Sequence, residues 1–193
     1  MVVAIVALNV FISWYNTKVC GQYWAESKAL GGFPRVLMWC GAVQSAVGFS
    51  SLFLVVGLAI AGVTGYLPHK ALEAAANLWY LAVIIPCIGT GIVITVHSWV
   101  VAYRERNWQN MGTAAYNTFA TASNLYGAAN GGVSDAFKSV GDLFSGDSED
   151  GGAVVVLVIA IVVCSILGGV VLTAWLIQKY NRQACRELAG SQR

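Results

Sequence analysis

Four runs of apolar residues, separated by short polar links, organise this chain, and a fifth segment with a different pattern lies between the third and fourth. The first run, Val2 to Tyr15, is short for a crossing, because a bilayer core takes about 20 helical residues. It can be extended through Asn16 to Trp24, with Trp14, Tyr15, Tyr23 and Trp24 placed as interfacial anchors. No basic residue precedes it and no small-residue cleavage site follows it, which argues against a cleaved signal peptide.

The second run carries no charge from Val36 to Pro68, and its apolar heart, Val43 to Val63, is long enough to cross. Small residues recur along it at helical spacing, Gly41 with Ser45, Ala42 with Ala46, and Gly57 with Ala61. Such pairs let two backbones approach closely in lipid. The third run, Ala74 to Tyr103, follows a link from Gly65 to Glu73 that holds Pro68 and reads as a turn. Pro86, Gly89 and Gly91 fall in its middle, where a kink or a locally opened backbone is expected. A broken helix at mid-membrane marks the binding site of some transporters, but those folds show a matching break in a second half, and no internal repeat is present here. The fourth run, Gly151 to Gln178, has a Val/Ile/Leu core with Gly168 and Gly169 near its centre and Lys179 as its stop. Lys179, Arg182 and Arg186 then share one face of a continuing helix, where they can meet anionic head groups.

The segment between the third and fourth runs has no charge from residue 107 to residue 134, yet it is not hydrophobic. Met111, Ala115, Phe119, Ala122, Tyr126, Ala129, Val133, Phe137, Val140 and Phe144 recur every three or four residues, an apolar stripe on an amphipathic helix or pair of helices. Gly131 and Gly132 predict an interruption, and Ser134 with Asp135 predicts the N-cap of a second helix. An acidic glycine-serine loop, Ser145 to Gly152, follows. A helix with a neutral polar face has three uses: lying at the interface, packing against other subunits outside the bilayer, or lining a water-filled passage. Peripheral anchors carry Lys and Arg on the polar face, and this segment lacks them until Lys138, so subunit contact is preferred. Three regions result: 1–106 with three membrane helices, 107–150 with the amphipathic segment and acidic loop, and 151–193 with the fourth span and a basic tail.

Composition agrees with a membrane class. Hydrophobic residues make up 58% of the 193 and charged residues only 10%, against about 25% charged in ordinary soluble domains. The expected fold is an all-α, polytopic helical bundle of about four transmembrane helices plus the amphipathic segment, in a cell or viral membrane. The formal net charge of +2 suggests no nucleic-acid partner. In a four-span arrangement the positive charges tie: Lys18, Lys28, Arg35, Arg104 and Arg106 on one side, Lys70, Lys179, Arg182, Arg186 and Arg193 on the other. The tail and acidic loop favour a cytoplasmic C-terminus, which leaves Arg104 and Arg106 outside. Two alternatives remove the conflict: residues 107–130 cross as a polar fifth span, or the protein sits in an assembly whose sidedness differs from that of a plain cell membrane. Four spans is the main reading.

The chemistry that the sequence lacks narrows the function. No Asp, Glu, Lys or Arg lies within the four apolar cores, which argues against a proton-coupled carrier, a voltage sensor or an intramembrane acid/base enzyme. Cys20, Cys40, Cys87, Cys164 and Cys185 form no CxxC pair and no zinc spacing. Asp147, Ser148, Glu149 and Asp150 lack the spacing of a calcium loop. His69 and His97 cannot share a ligand from one helix, since their 28-residue separation is about 40 Å. No catalytic residues, metal or cofactor are expected. The leading expectation is a non-enzymatic structural or assembly subunit of an oligomeric membrane complex, of virion-membrane, secretion or defence type, with the lipid bilayer and other membrane subunits, identical or different, as partners. Its packing residues are Gly41, Ser45, Gly57, Ala61, Gly168 and Gly169. The alternative is a channel or transporter for small uncharged solutes, using Pro86, Gly89, Gly91, Thr113, Asn117 and Asn124.

Overall fold

A computed structural model describes residues 2–26, 33–145 and 151–190, and nearly all of them are helical. Lys28, the acidic stretch 147–150 and Arg193 lie outside the described residues. The helices are α1 (Val2–Glu26), α2 (Phe33–Val63), α3 (His69–Glu105), α4 (Trp108–Gly127), α5 (Val133–Phe144) and α6 (Gly151–Gly190), with a wide π-type turn at Ala128–Gly132 between α4 and α5. Three stretches are long and apolar enough to cross a membrane: Arg35–Val63, His69–Glu105 and Gly152–Glu187. The chain is therefore a multi-pass helical membrane protein by length and composition, with α1 not among those three.

Helices α1, α2 and α6 form the inner triad. At Gly169 backbone meets backbone most closely between these helices: a Cβ there would run into the Ala46 carbonyl oxygen and meet the Ser50 amide nitrogen at 2.7 Å. Gly168 faces the Phe53 ring, which an added Cβ would meet at 3.0 Å, and Gly57 faces Ile161. Such contact of backbone with backbone suits lipid, where no hydrophobic drive separates helix from solvent and dispersion contact holds helices together. The same logic puts Gly48 against Ser13 and Gly41 against the Cys20 sulfur. Leu54, Ala61, Leu67, Ala71, Ala75, Val158 and Val162 form the main apolar core, at the end of the bundle where α2 passes into α3.

α3 runs as one helix through Pro86, and the chain breaks later, at Ala128–Gly132. There Gly131 takes a φ of 93°, a left-handed conformation that glycine adopts without penalty. α5 restarts at Val133 with Gly132 before it and no side-chain cap, so Ser134 sits inside the helix where the sequence suggested a cap. The glycine turn re-aims the chain and leaves the capping hydroxyl without a role. Asp135 does lie in the first turn, as expected.

The turn between α3 and α4 fixes the path of the next helix. Arg106 ends α3 in the left-handed region (φ 45°), with its amide donating to the Ala102 carbonyl. Asn107 then caps α4, its side chain accepting from the Gln109 amide at 2.8 Å. So short a connection makes α4 an antiparallel neighbour of α3. One register holds along the whole helix: Trp99 bonds Thr118, Thr95 bonds Thr121, Gly91 faces Thr121, and Gly132 faces the Tyr80 hydroxyl. At the far end Ala71 and Leu143 line a common cavity. The segment that the sequence set apart as an extramembrane contact element is thus laid along α3 from end to end.

The faces of α4 are arranged inside out relative to a soluble protein. Met111, Phe119 and Tyr126, members of the apolar stripe, are exposed, at 41%, 72% and 71% of their surface. Ala114 is fully buried, and Asn110, Asn117, Thr121 and Asn124 are half-buried on the side toward the bundle.

Candidate functional site

That inward polar face builds one wall of a cleft of about 530 Å³. Asn110, Thr113, Asn117, Thr121 and Asn124 of α4 line it, with Tyr116 at its edge. Gly91, Ile94, His97 and Ser98 of α3 and Gln44 of α2 supply the floor, and Tyr15, Asn16, Cys20 and Tyr23 of α1 stand opposite. α1 and α4 share no packed interface, so these two walls flank a gap.

Hydrogen bonds hold the α4 wall in place. The Asn117 amide donates to the Ser98 hydroxyl at 2.7 Å, the Thr95 hydroxyl donates to the Asn117 carbonyl at 3.1 Å, and Thr95 and Thr121 share a hydroxyl–hydroxyl bond at 3.0 Å. The Trp99 indole N–H donates to the Thr118 hydroxyl at 2.9 Å. Bonds of this kind between membrane helices contribute roughly 0.6 kcal/mol each, so four of them fix register more than they supply stability. Gly91 makes the approach possible, because a Cβ there would lie 2.8 Å from the Thr121 hydroxyl.

The floor is pinned by Gln44. Its amide donates to the Cys87 carbonyl at 2.9 Å and to the Thr90 hydroxyl at 2.7 Å, while Thr90 donates to the Pro86 carbonyl at 2.6 Å. This clamp ties α2 to the turn of α3 that comes after proline. Sequence reasoning passed over Gln44, although it is the one amide side chain in the charge-free run 36–68. A lone amide among apolar residues in lipid is itself a signal, since it needs a partner. Asn16, Thr95, Ser98 and Thr121 were also missed, because each is ordinary until its neighbour is known.

Among the described residues no Asp, Glu, Lys or Arg lines the cleft. Among the described residues Asn16 and Asn124 have no hydrogen-bond partner, so the walls present donors and acceptors to whatever fills the gap. The arrangement can bind a neutral polar group by hydrogen bonds. Among the described residues no three His, Cys, Asp or Glu side chains gather as a metal site, and all five cysteines are free thiols.

Of the residues offered from sequence as a solute path, Gly91, Thr113, Asn117 and Asn124 meet in this cleft. Pro86 and Gly89 are exposed and point elsewhere, and a Cβ on Gly89 would meet nothing within 4 Å. Gly41, Ser45, Gly57, Ala61, Gly168 and Gly169 lie within the chain's own helix interfaces, Ser45 fully buried and its hydroxyl without a partner. Lys179, Arg182 and Arg186 are exposed on the last turns of α6, with the Lys179 ammonium 5.4 Å above the Trp175 ring.

A second cleft, about 580 Å³, lies at the other end of the bundle between α3, α5 and α6. Its lining is charged: Lys70, Glu73, Asp135, Lys138 and Asp142. The two ends of the molecule therefore differ in kind, one cleft neutral and one ionic. No protein-family model, no curated protein and no solved structure matches this chain.

Proposed function

We propose that the protein is a non-enzymatic subunit of an oligomeric membrane complex, and that it crosses the bilayer five times. In this reading α1, α2, α3 and α6 cross as apolar spans and residues 108–144 return along α3 as a polar-faced one. The observation that carries the fifth crossing is the orientation of α4: Phe119 and Tyr126 outward, Asn117 and Thr121 bonded inward. A polar span is tolerated in lipid when its polar side chains face protein or water.

The same orientation supports the subunit role. The small-residue faces are occupied inside the chain, while the gap between α1 and α4 is lined by unmatched hydrogen-bonding groups open to a neighbour. A neighbouring transmembrane helix bearing Ser, Thr or Asn would satisfy them without introducing charge. The second reading, a path for small uncharged solutes, draws on the convergence of Gly91, Thr113, Asn117 and Asn124 on that same cleft.

One experiment separates the two. The double variant Asn16→Leu with Asn124→Leu removes unpaired groups from facing walls while leaving the α3–α4 bonds intact. Native mass spectrometry of the detergent-solubilised variant should show a smaller complex than the wild type if the cleft holds a neighbour. A complex of unchanged size, with solute flux into liposomes lost, would favour the solute path and overturn the subunit reading.

A further inference from the structure

We infer that the end of the bundle holding the α3–α4 turn and the tail of α6 is a binding surface for anionic phospholipid head groups, and so faces the cytoplasmic leaflet. The inference rests on the fifth crossing proposed above. With residues 108–144 left outside the bilayer, the α3–α4 turn and the tail would fall on opposite faces and the basic residues would divide evenly. Packed along α3, the segment brings them to one face.

Contacts between helices establish which termini share that end. Cys20 of α1 donates to the Met38 carbonyl near the start of α2, and Gly21 abuts Tyr180 of α6. The Phe33 ring lies 5.8 Å from His97, which puts the start of α2 beside the last turns of α3. Lys18 and Arg35 therefore sit at the same end as Arg104 and Arg106, which flank the α3–α4 turn, and as Lys179, Arg182 and Arg186. All seven are exposed. Only Lys70 and Lys138, among the described residues, lie at the other end, where Glu73, Asp135 and Asp142 share their cleft.

Seven cations at the basic end stand against three described carboxylates, Glu26, Glu105 and Glu187, and Glu105 is already engaged by the Asn110 amide at 2.7 Å. Trp39, Trp99 and Trp175 are exposed at this level, the placement of an interfacial aromatic belt. The Lys179 ammonium lies over the Trp175 ring, 5.4 Å from its centroid. An acidic leaflet supplies the matching charge. Each cation near such a surface strengthens binding roughly fivefold, an effect that salt screens.

The test uses full-length protein in micelles doped with equal phosphatidylglycerol and phosphatidylcholine, with bound lipid counted by native mass spectrometry. The wild type should retain phosphatidylglycerol at least fivefold over phosphatidylcholine in low salt, and the preference should fall in high salt. Arg104→Gln with Arg106→Gln, and Arg182→Gln with Arg186→Gln, should each lower it severalfold. Lys70→Gln with Lys138→Gln should leave it unchanged. Equal retention of the two lipids, or an equal loss in the Lys70/Lys138 control, would overturn the proposal. Cysteines introduced at Gln109 and Ser145 and labelled in sealed vesicles report the crossing separately. Opposite sides with no lipid preference sinks the lipid surface alone; the same side sinks the crossing on which it rests.

Discussion

Arginine in place of Tyr126 should destabilise the protein by about 2.5–3.5 kcal/mol, the penalty for a guanidinium held toward the middle of a bilayer. Tyr126 lies between Thr121, which faces Gly91, and Gly132, which faces Tyr80, so it stands level with the middle of α3's apolar run. Its side chain is 71% exposed and points away from the bundle. If that exposure is to lipid, the charge has no nearby water and no partner. If α4 lay in water, the same substitution would change stability by about 0.5 kcal/mol or less, as surface changes usually do. Gln109→Arg, exposed in the first turn of α4 beside Arg106, serves as the control and should be neutral. Reversible unfolding in bicelles, monitored by helicity, gives both values on one scale.

The second large effect is expected at Gly169. Changing it to alanine adds one methyl group aimed at the Ala46 carbonyl oxygen and the Ser50 amide nitrogen, and neither is a flexible side-chain end that can swing aside. The helices must separate, which breaks the packing of α2 against α6 over several turns. Overpacking of this kind costs about 1–3 kcal/mol, and the gain in helix propensity from glycine to alanine offsets at most about 1. Gly89→Ala offers the contrast, because its added methyl meets open space and only the propensity gain remains. Thermal denaturation in micelles should show a lowered midpoint for the first and an unchanged or raised one for the second. Equal midpoints would contradict the close α2–α6 approach.

Much of this architecture could be read from the chain because lipid demands so much of it. The charge-free run from Val36 and the Val/Ile/Leu run in α6 are the most apolar stretches of the chain; the first is helical as far as Val63 and the second throughout. The interruption at Gly131 and Gly132 was legible for a local reason, since two adjacent glycines weaken any helix. What the sequence left open was direction. A stripe such as Met111, Phe119 and Tyr126 shows that α4 has two faces, but periodicity is silent on which solvent each face meets. In water the stripe turns inward, in lipid outward, and the choice decides whether Asn117 and Thr121 are surface or interior.

The cleft was half legible. Gly91, Thr113, Asn117 and Asn124 could be suspected one by one, as small or polar residues in an uncharged setting. Their convergence depends on the two-residue turn at Arg106 and Asn107, and on a left-handed arginine that no pattern announces. Gln44 escaped because its partners, the Cys87 carbonyl and Thr90, are 43 and 46 residues away. Long-range hydrogen bonds of this sort leave no periodic trace.

Labelling from one side of a sealed membrane tests the central claim most directly. In a background without reactive native cysteines, Gln109→Cys and Ser145→Cys bracket α4 and α5, and both positions are exposed. An impermeant maleimide added outside right-side-out vesicles should modify the residue-145 thiol and leave the residue-109 thiol untouched until the vesicles are opened. Modification of both thiols, or of neither, before opening would place the two ends on one side and contradict a polar segment that returns through the bilayer along α3.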